Sequence, residues 1–364
     1  MRNIRISITV ITSILIVVGI VMIYSSSGIY AMHERGDSLF FLKRHLLFLL
    51  IGLGMALGVM AFDYRLLKKY AKPLLLFGSF LLILVLIPSI GKEINGARRW
   101  FKVGPIHFQP SEFVKIAILI YVADFLSRKQ NKIASFRKGF LPLSIVTGFI
   151  CLLILKQPDL GSCVTISSIV FVSMFIAGGR IKHIGSLGLL SLPAFYFLIV
   201  RVPYRWARIV TFIDPWRDSQ GAGFQLTQSQ IALGSGGLFG LGLGKSVQKL
   251  FYLPAAHTDF ILSIIGEELG FLGAFAVIAL FITLIWQGAR IAKRTQDPFG
   301  YFLSTGIVML LGLQATVNIG VSIGALPTKG LPLPFVSYGG SALIFNMMAM
   351  GLLLNISRIE DLSP

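Results

Sequence analysis

Three carboxylates are spaced along a short polar turn and the apolar run that follows it. They are Asp259, Glu267 and Glu268, in the stretch LPAAHTDFILSIIGEELG at 253–270. A positioned carboxylate can accept the proton of a hydroxyl group that attacks a carbon atom. If Asp259 begins a helix, Glu267 lies about 12 Å further along the helix axis. Paired carboxylates that act on one sugar bond are roughly 5–10 Å apart, so one of these acids acts alone or with a partner from elsewhere.

The depth of each acid in the apolar run suggests a different role. Asp259 lies at the edge, where solvent and substrate can reach it, although capping of a helix N-terminus is the alternative, because the helix dipole favours an acid there. Glu267 and Glu268 lie deeper, where ionisable side chains are costly and are functional candidates by default. We interpret these two glutamates mainly as structural, in ion pairs with basic side chains on neighbouring helices.

A second polar insertion, QPSEFVK at 109–115, precedes another apolar run. Ser111 is predicted to cap the helix that follows Pro110. Glu112 and Lys115 are three residues apart, so they face the same side of a helix and can form an ion pair. Because Lys115 lies inside the apolar run, we expect this pair to structure a polar cavity or to take part in function.

The chain carries a formal net charge of +18, and part of it lies in the predicted outer loops. Outer cations suit anionic lipid or phosphate, whereas the alternative for each is a side chain that extends to the headgroup level. A nucleic-acid partner is not expected, because no soluble basic domain is present to hold it. The outer cations are Arg98, Arg99, Lys102, Arg201, Arg205, Arg208, Arg217, Lys245, Lys249 and Lys329.

The elements that must position these residues are membrane helices. Of the 364 residues 55% are hydrophobic and only 13% are charged, about half the charged share of a soluble domain. A span needs about 20 apolar residues, and spanning segments form helices, so we predict one all-α integral membrane domain over 1–364 with negligible sheet. The predicted spans are 6–27, 44–62, 73–90, 112–127, 139–155, 162–178, 184–201, 260–287, 300–322 and 341–357.

The distribution of Lys and Arg predicts the orientation of these ten spans. An even number of spans places both termini on one side, and basic residues are denser in the loops of that side. The positive-inside rule therefore predicts cytoplasmic termini and a multi-pass protein of the cytoplasmic membrane. The longest loop, about 202–259, then lies outside, and Asp259 is where it re-enters the membrane.

Two glycine- and proline-rich segments flank the predicted eighth and ninth spans. The first is LGSGGLFGLGLGKS at 233–246 and the second is LPTKGLPLPFVSYGG at 326–340. Glycines let a backbone turn tightly and approach another surface closely. Irregular backbone at membrane depth is tolerated where it is buried in protein or lines a wet cavity. We therefore expect both segments to border one outward-facing polar cavity.

These motifs together resemble those of the SEDS family of shape, elongation, division and sporulation proteins. The motifs occur in the family's order and cover nearly the whole chain. Their residues are more similar to the cell-division branch of the family than to the elongation branch. The motifs that carry it are NGARRW with QPSEFVK, KQPDLG, DPW, GFQLTQSQIALGSGGLFGLGLGKS, FYLPAAHTDFILSIIGEELG and KGLPLPFVSYGGSA.

The resemblance implies a peptidoglycan glycosyltransferase that polymerises lipid II on the outer face of the cytoplasmic membrane, at the division septum. It implies a class B penicillin-binding protein and other division proteins as partners. The catalytic aspartate of the family's HTDF motif matches Asp259, and the family's cavity pair matches Glu112 and Lys115. Where the family often has a glutamate in this motif, the chain has Ala255, so that carboxylate is absent.

The residues present suit this chemistry. Asp259 can accept the proton of the attacking sugar hydroxyl, while Arg98, Arg99, Lys245 and Lys329 can stabilise the leaving pyrophosphate. A divalent cation, Mg²⁺ or Mn²⁺, is another source of positive charge, with Asp159 and Asp259 as its possible ligands. A helix cap is an equal alternative for Asp159, and no organic cofactor is expected.

Three other functions are alternatives to this one. A lipid II transporter would depend most on the buried Glu267, Glu268 and Lys115, whereas polymerisation depends on Asp259. A non-catalytic scaffold for division partners would not require Asp259 at all. A polymerase of the elongation branch would have the same chemistry at a different place in the cell.

Overall fold

A computed structural model describes residues 1–94, 96–104 and 106–362. Within these ranges the chain forms twelve α-helices, and ten of them coincide with the ten predicted spans. The other two, α8 and α9, lie in the segment that was predicted as one outer loop. The helices are α1 Arg2–Arg35, α2 Phe40–Ala61, α3 Leu67–Leu84, α4 Pro110–Arg128, α5 Leu141–Leu155, α6 Leu160–Ile176, α7 Ile181–Ile199, α8 Pro203–Ile213, α9 Phe224–Ser235, α10 Ile261–Arg294, α11 Pro298–Ser322 and α12 Gly340–Leu362.

The third helix begins and ends earlier than predicted. Hydropathy placed the span at 73–90, after the last lysine, but α3 starts at Leu67 and contains Lys68, Lys69 and Lys72 in its first two turns. Charged side chains at a helix end can extend to the headgroup level, so they do not stop the helix. Six described helices are long and apolar enough to cross a membrane: α1, α2, α5 with the turn before it, α10, α11 and α12.

A small antiparallel sheet that the sequence did not predict connects α3 to α4, and its three short strands leave the fold all-α, as expected. Its strands are β1 Lys92–Ile94, β2 Ala97–Val103 and β3 Ile106–Phe108, in the order β1-β2-β3. Lys92 pairs with Trp100, and Phe101 pairs with Phe108. The segment is too polar to join the helices, and pairing as strands satisfies its backbone hydrogen-bonding groups.

Helix α4 lies at the centre of the bundle. It packs against α3, α6, α11 and α12, and nearly every side chain from Pro110 to Leu126 is buried. A helix that is buried all round has no solvent face on which to place its charges. The charged residues of α4 must therefore find partners inside the protein.

Helix α10 is broken at Gly270, and the glycine-rich segment fills the break. Gly270 has a φ of 71°, which interrupts the helical backbone. The N–H of Leu241 donates to the carbonyl of Glu267 at 2.9 Å, and the N–H of Phe271 donates to the carbonyl of Gly237 at 2.8 Å. A Cβ atom on Gly240 would lie 2.2 Å from the carbonyl oxygen of Glu268. The predicted close approach of this segment to another surface is confirmed.

The start of α1 and the end of α12 lie on the same face of the bundle. Arg5 forms an ion pair with Asp361 at 2.9 Å. We call this the termini face, and the opposite face, where α10 begins, the Asp259 face. On the Asp259 face, α9 packs against α10 and α11. There Ser229 bonds with Ser263 at 2.6 Å and donates to the carbonyl of Ser322 at 2.8 Å.

Candidate functional site

Asp259 lies in a tight turn directly before α10. The N–H groups of Thr258 and Asp259 donate to the carbonyl of Ala255 at 3.0 and 3.1 Å, and Ala255 has a φ of 57°. Phe260 occupies the cap position of α10, with no side-chain hydrogen bond to the helix. The alternative that Asp259 caps the helix is therefore wrong, and its carboxylate is left for another role.

The carboxylate of Asp259 is half-buried against the loop that follows α11. A Cβ atom on Gly330 would lie 3.2 Å from Asp259 Oδ2. Asn318 holds the two segments together, because its Nδ2 donates to the carbonyl of Asp259 at 2.9 Å and to that of Leu331 at 2.8 Å. Among the described residues, no side chain or backbone N–H donates a hydrogen bond to the carboxylate. Asn318 therefore fixes the backbone at Asp259, whereas the carboxylate accepts no hydrogen bond from the described residues; we call such a carboxylate uncommitted.

Burial raises the pKa of Asp259 to about 6, and the positive charge of Arg208 acts in the opposite direction. A carboxyl group with a pKa near neutrality is suited to proton transfer, because it can both lose and accept a proton at working pH. Arg208 donates to the carbonyl of Thr328 at 3.0 Å. It therefore holds the loop that packs against Asp259.

Lys329 connects this loop to a second group of polar residues. A Cβ atom on Gly161 would lie 2.8 Å from Lys329 Cε and 3.1 Å from Asp159 Oδ1. Burial lowers the pKa of Lys329, the negative charge of Asp159 raises it, and the positive charge of Lys115 lowers it. Of three consecutive residues, Thr328 accepts from Arg208, Lys329 packs beside Gly161 within range of the charge of Asp159, and Gly330 packs against Asp259.

The polar cluster between α4 and α6 consists of Gln109, Ser111, Glu112, Lys115, Asp159 and Lys329. Lys115 Nζ donates to Glu112 Oε1 at 2.7 Å, and both side chains are buried, with 2% and 6% exposed. The predicted pair on one face of α4 is confirmed. The predicted cap at Ser111 was wrong, because Gln109 holds the cap position and Ser111 Oγ accepts from Gln109 Nε2 at 2.9 Å.

Asp159 caps α6. Its carboxylate accepts from the N–H of Ser162 at 3.0 Å and from Ser162 Oγ at 2.7 Å. The helix-cap alternative for Asp159 is therefore confirmed. Each carboxylate oxygen therefore accepts one hydrogen bond from Ser162.

The other predicted phosphate-binding cations are distributed differently. Arg98 pairs with Glu93 of the sheet at 2.9 Å, and Arg99 donates to the carbonyls of Gln157 and Pro158 at 2.7 Å each. The bonds of Arg99 hold the sheet against the turn before α6. Lys245 is exposed on the glycine-rich segment. Of the four cations, Lys329 is the one that directly precedes a residue, Gly330, that packs against the Asp259 carboxylate.

Glu267 and Glu268 bind the glycine-rich segment to α10. Glu268 Oε1 forms an ion pair with Lys249 Nζ at 2.7 Å and accepts from Ser25 Oγ of α1 at 2.7 Å. Glu267 accepts from Ser246 Oγ and from the N–H of Val247 at 2.8 Å. We use the name loop clamp for this group, which consists of the side chains of Ser25, Ser246, Lys249, Glu267 and Glu268 together with the N–H of Val247.

The structural role predicted for the two glutamates fits these contacts, but the predicted partners were wrong. The cation that pairs with Glu268 comes from the segment between α9 and α10 rather than from a neighbouring helix. Within the described residues, Glu267 forms no ion pair and accepts hydrogen bonds instead. Ser246 and Val247, in the segment between α9 and α10, supply these donors, and the spacing of residues in the sequence did not reveal that this segment packs against Glu267.

A cavity of about 800 Å³ lies between α1 and the glycine-rich segment, beside the loop clamp. Its wall is mostly apolar and includes Lys249 and Phe251. Aromatic rings connect it to the turn of Asp259: Tyr30 lies 5.9 Å from Phe251 and 6.0 Å from His257, measured between ring centroids. The glycine-rich segment borders this cavity, whereas the 326–340 segment packs against Asp259. The expectation that both segments border one polar cavity was wrong for this cavity, because its lining includes no residue of 326–340 and is mostly apolar.

The described residues contain no group of three His, Cys, Asp or Glu side chains arranged to hold a metal ion. Asp259 is the one predicted ligand whose carboxylate is uncommitted. It can supply a single ligand to an ion that is otherwise held by phosphate oxygens and water, as Mg²⁺ often is. The donor set does not form a metal site by itself.

Two residues of this site were missed in the sequence. Asn318 was hidden inside an apolar run, where a lone amide is a signal for a buried hydrogen-bonding role. Arg208 was counted among the outer cations but was not singled out, because its position beside Asp259 depends on how α8 folds back. Only the tertiary structure brings α8 to the loop after α11.

The chain matches the family described as "Cell cycle protein", the FtsW, RodA and SpoVE family, over residues 5–362. It therefore belongs to this family, which is the SEDS family indicated by its motifs. The match covers nearly the whole chain, so the site described above lies within the family's shared region.

Several relatives are similar along most of their length. The chain is 48% identical to the "Probable peptidoglycan glycosyltransferase FtsW" of Geobacter sulfurreducens, covering 93% of this chain and 91% of that protein. It is 46% identical to the "Stage V sporulation protein E" of Bacillus subtilis, covering 96% and 95% respectively. The predicted closeness to the division branch agrees with the first of these names.

Solved structures share the fold. One, described as "Structural coordination of polymerization and crosslinking by a peptidoglycan synthase complex", has a TM-score of 0.79 at 29% identity and covers 97% of both chains. Another is the rod shape determining protein RodA of Thermus thermophilus, with a TM-score of 0.72 at 30% identity, covering 96% of this chain and 95% of that one. The predicted all-α membrane fold is confirmed.

Proposed function

We propose that this chain is a peptidoglycan glycosyltransferase that polymerises lipid II, with Asp259 as the general base. The observation that carries the proposal is the uncommitted, half-buried carboxylate of Asp259, held by a fixed backbone turn beside the loop of Lys329. Family membership and the glycosyltransferase names of its relatives support the reaction class.

The reaction joins a sugar hydroxyl to an anomeric carbon and releases a lipid pyrophosphate. Asp259 in its ionised form accepts the proton of the attacking hydroxyl as the new bond forms. Arg208 binds the loop that packs against Asp259 and Lys329 belongs to that loop, so these two cations are the candidates to stabilise the negative charge of the leaving group. The charge of Asp159 favours the charged form of Lys329, and the positive charge of Lys115 opposes it.

A divalent cation remains part of the proposal in a limited form. When bound, Mg²⁺ or Mn²⁺ would neutralise pyrophosphate charge, with Asp259 as one protein ligand and the substrate's own oxygens as others. The role of Asp259 as a proton acceptor does not depend on that ion. Asp159, the other predicted ligand, caps α6 with the same carboxylate.

The orientation and partners follow from the same reading. Both termini are proposed to be cytoplasmic, because basic residues are denser in the loops on the termini face, which places Asp259 on the outer face. A membrane-anchored class B penicillin-binding protein and other division proteins are proposed as partners at the septum. Similarity to a chain from a peptidoglycan synthase complex supports the first of these partners.

The decisive experiment is incubation of the purified protein with labelled lipid II, with and without its cognate transpeptidase. Asp259→Asn keeps the size of the side chain but removes its basicity. We expect loss of glycan ladders by about 10²–10⁴-fold, with an unchanged melting temperature in detergent. Asp214→Asn, an exposed aspartate on the same face, is the matched control and should leave the ladders intact.

Long glycan strands at near wild-type rate from Asp259→Asn would refute the assignment. Movement of lipid II across vesicle bilayers without ladders would instead support the transporter. A wild-type protein that shows neither activity with its transpeptidase present, while still binding it, would support the scaffold.

A further inference from the structure

A basic pocket lies on the termini face, on the far side of the bundle from the start of α10. Its volume is about 450 Å³, and it lies between the first turn of α1 and the last turns of α10. We call it the arginine pocket. Its lining includes Arg2, Arg290 and Arg294 and no carboxylate; the full lining is Met1, Arg2, Asn3, Ile4, Gln287, Arg290 and Arg294.

The three arginines have no acidic partner in the described part of the chain. Neighbouring Arg5, by contrast, is paired with Asp361 at 2.9 Å. Arg290 donates to the neutral Gln287 Oε1 at 3.0 Å and lies over the ring of Trp286 at 5.2 Å. Three like charges around one cavity repel each other unless an anion lies between them.

An apolar strip extends from the pocket along the outer surface of α1 and α10, toward the middle of their length. Exposed apolar side chains project from α1 at Ile6 and Val10 and from α10 at Ile282 and Trp286. The two helices pack side by side. In a bilayer such surfaces contact acyl chains, and a tryptophan beside them suits the headgroup level. The pocket therefore lies where a phospholipid headgroup meets its chains.

We propose that the arginine pocket binds the phosphodiester headgroup of an anionic phospholipid, whose acyl chains lie along the strip. Guanidinium groups match phosphate oxygens in charge and in bidentate geometry. Basic pockets between membrane helices are known to accept such headgroups. A soluble phosphate has the same anionic chemistry, but the continuous apolar strip favours the lipid.

The test compares binding of phosphatidylglycerol and phosphatidylcholine with identical acyl chains, by native mass spectrometry of the full-length protein in a neutral detergent. We expect the wild type to retain phosphatidylglycerol preferentially. Each cation contributes roughly five-fold to binding of an anionic lipid, so the triple variant Arg2→Gln, Arg290→Gln and Arg294→Gln should lose roughly 100-fold. The single variant Arg294→Gln should lose roughly five-fold.

The matched control removes the same charge elsewhere on the termini face. Lys132→Gln, Arg137→Gln and Lys138→Gln act on exposed residues between α4 and α5 and should retain the bound lipid. Equal retention of the two lipids by the wild type, or equal loss in both triple variants, would overturn the proposal. So would displacement of phosphatidylglycerol by millimolar inorganic phosphate, since that outcome assigns the pocket to a soluble anion. If the triple variant melts early, the single variant decides the outcome.

Discussion

Two buried ion pairs have the same 2.7 Å separation and very different surroundings. Glu112 and Lys115 lie within one turn of α4, and their neighbours are the polar side chains around Lys329. Glu268 and Lys249 come from α10 and from the segment before it, and Ser25 of α1 joins them. The first pair stays within one helix, whereas the second connects three parts of the chain.

This difference separates a site-forming pair from a structural one. A helix that loses an internal pair keeps its backbone hydrogen bonds, so the main consequence falls on the neighbouring side chains. The loop clamp instead supports a helix that is already broken at Gly270. Its loss removes a contact on which the relative positions of α1, α10 and the glycine-rich segment depend.

The largest expected effect is on stability, from Lys249→Met. The substitution leaves the fully buried Glu268 carboxylate without its cation, and breaking a buried pair in this way costs about 3–5 kcal/mol. We expect a marked fall in the melting temperature of the purified protein in detergent, together with faster proteolysis between α9 and α10.

Lys245→Met is the control for this prediction. Lys245 is on the same segment but exposed, so its replacement should change the melting temperature little. Equal melting temperatures for Lys249→Met and the wild type would mean that the clamp does not support the break in α10.

Much of the fold was predictable because membrane helices are set by local composition. The ten apolar runs predicted ten helices, and the three-residue spacing predicted the Glu112–Lys115 pair, since both features depend only on neighbours along the chain. Asp259 was predicted from its place at the edge of an apolar run and from the family motif.

The remaining parts of the site depend on contacts between distant segments. Lys249 was indistinguishable from other outer cations until the glycine-rich segment was seen to enter the break in α10. Arg208 and Asn318 likewise gain their roles only when α8, α11 and the loop after α11 meet at Asp259. The sheet was missed because the rule for spanning segments was applied to a polar connection outside them.

Compared with Lys249→Met, we expect Lys115→Met to have a smaller effect on stability and a larger effect on activity. Glu112 loses its partner in this variant. Lys329 is close enough to Lys115 that the charge of Lys115 lowers the pKa of Lys329, so Lys329 can move toward Glu112 and replace the lost positive charge. We expect a loss of about 1–3 kcal/mol, typical of one unsatisfied buried group. Glycan synthesis per folded protein should fall strongly, because Lys329 is drawn away from the substrate.

Two variants sharpen this prediction. Lys43→Met breaks a pair with Asp37 that is exposed on both sides and should change the melting temperature little. Glu112→Leu combined with Lys115→Met removes both charges and should recover stability without recovering glycan synthesis. Recovery of both stability and glycan synthesis would mean that the Glu112–Lys115 pair, like the loop clamp, supports the fold and does not form the site.

The smallest and most specific effect is expected from Arg208→Gln. The pKa of Asp259 is raised to about 6 by burial and is lowered by the charge of Arg208, so removing that charge raises it further. Because a general base must be ionised, the wild-type rate should be half of its plateau near pH 6 and should rise with pH. In Arg208→Gln the midpoint moves to higher pH, so the rate at pH 6 falls below half of that variant's plateau.

Two variants are the controls for this shift. Arg208→Lys keeps the charge and should keep the midpoint. Arg217→Gln, at an exposed arginine of the same segment, should also keep it. The measurement is the initial rate of lipid II polymerisation from pH 5 to 8, normalised to each plateau. An unchanged midpoint in Arg208→Gln, at an unchanged fold, would show that the group titrating in the rate profile is not Asp259.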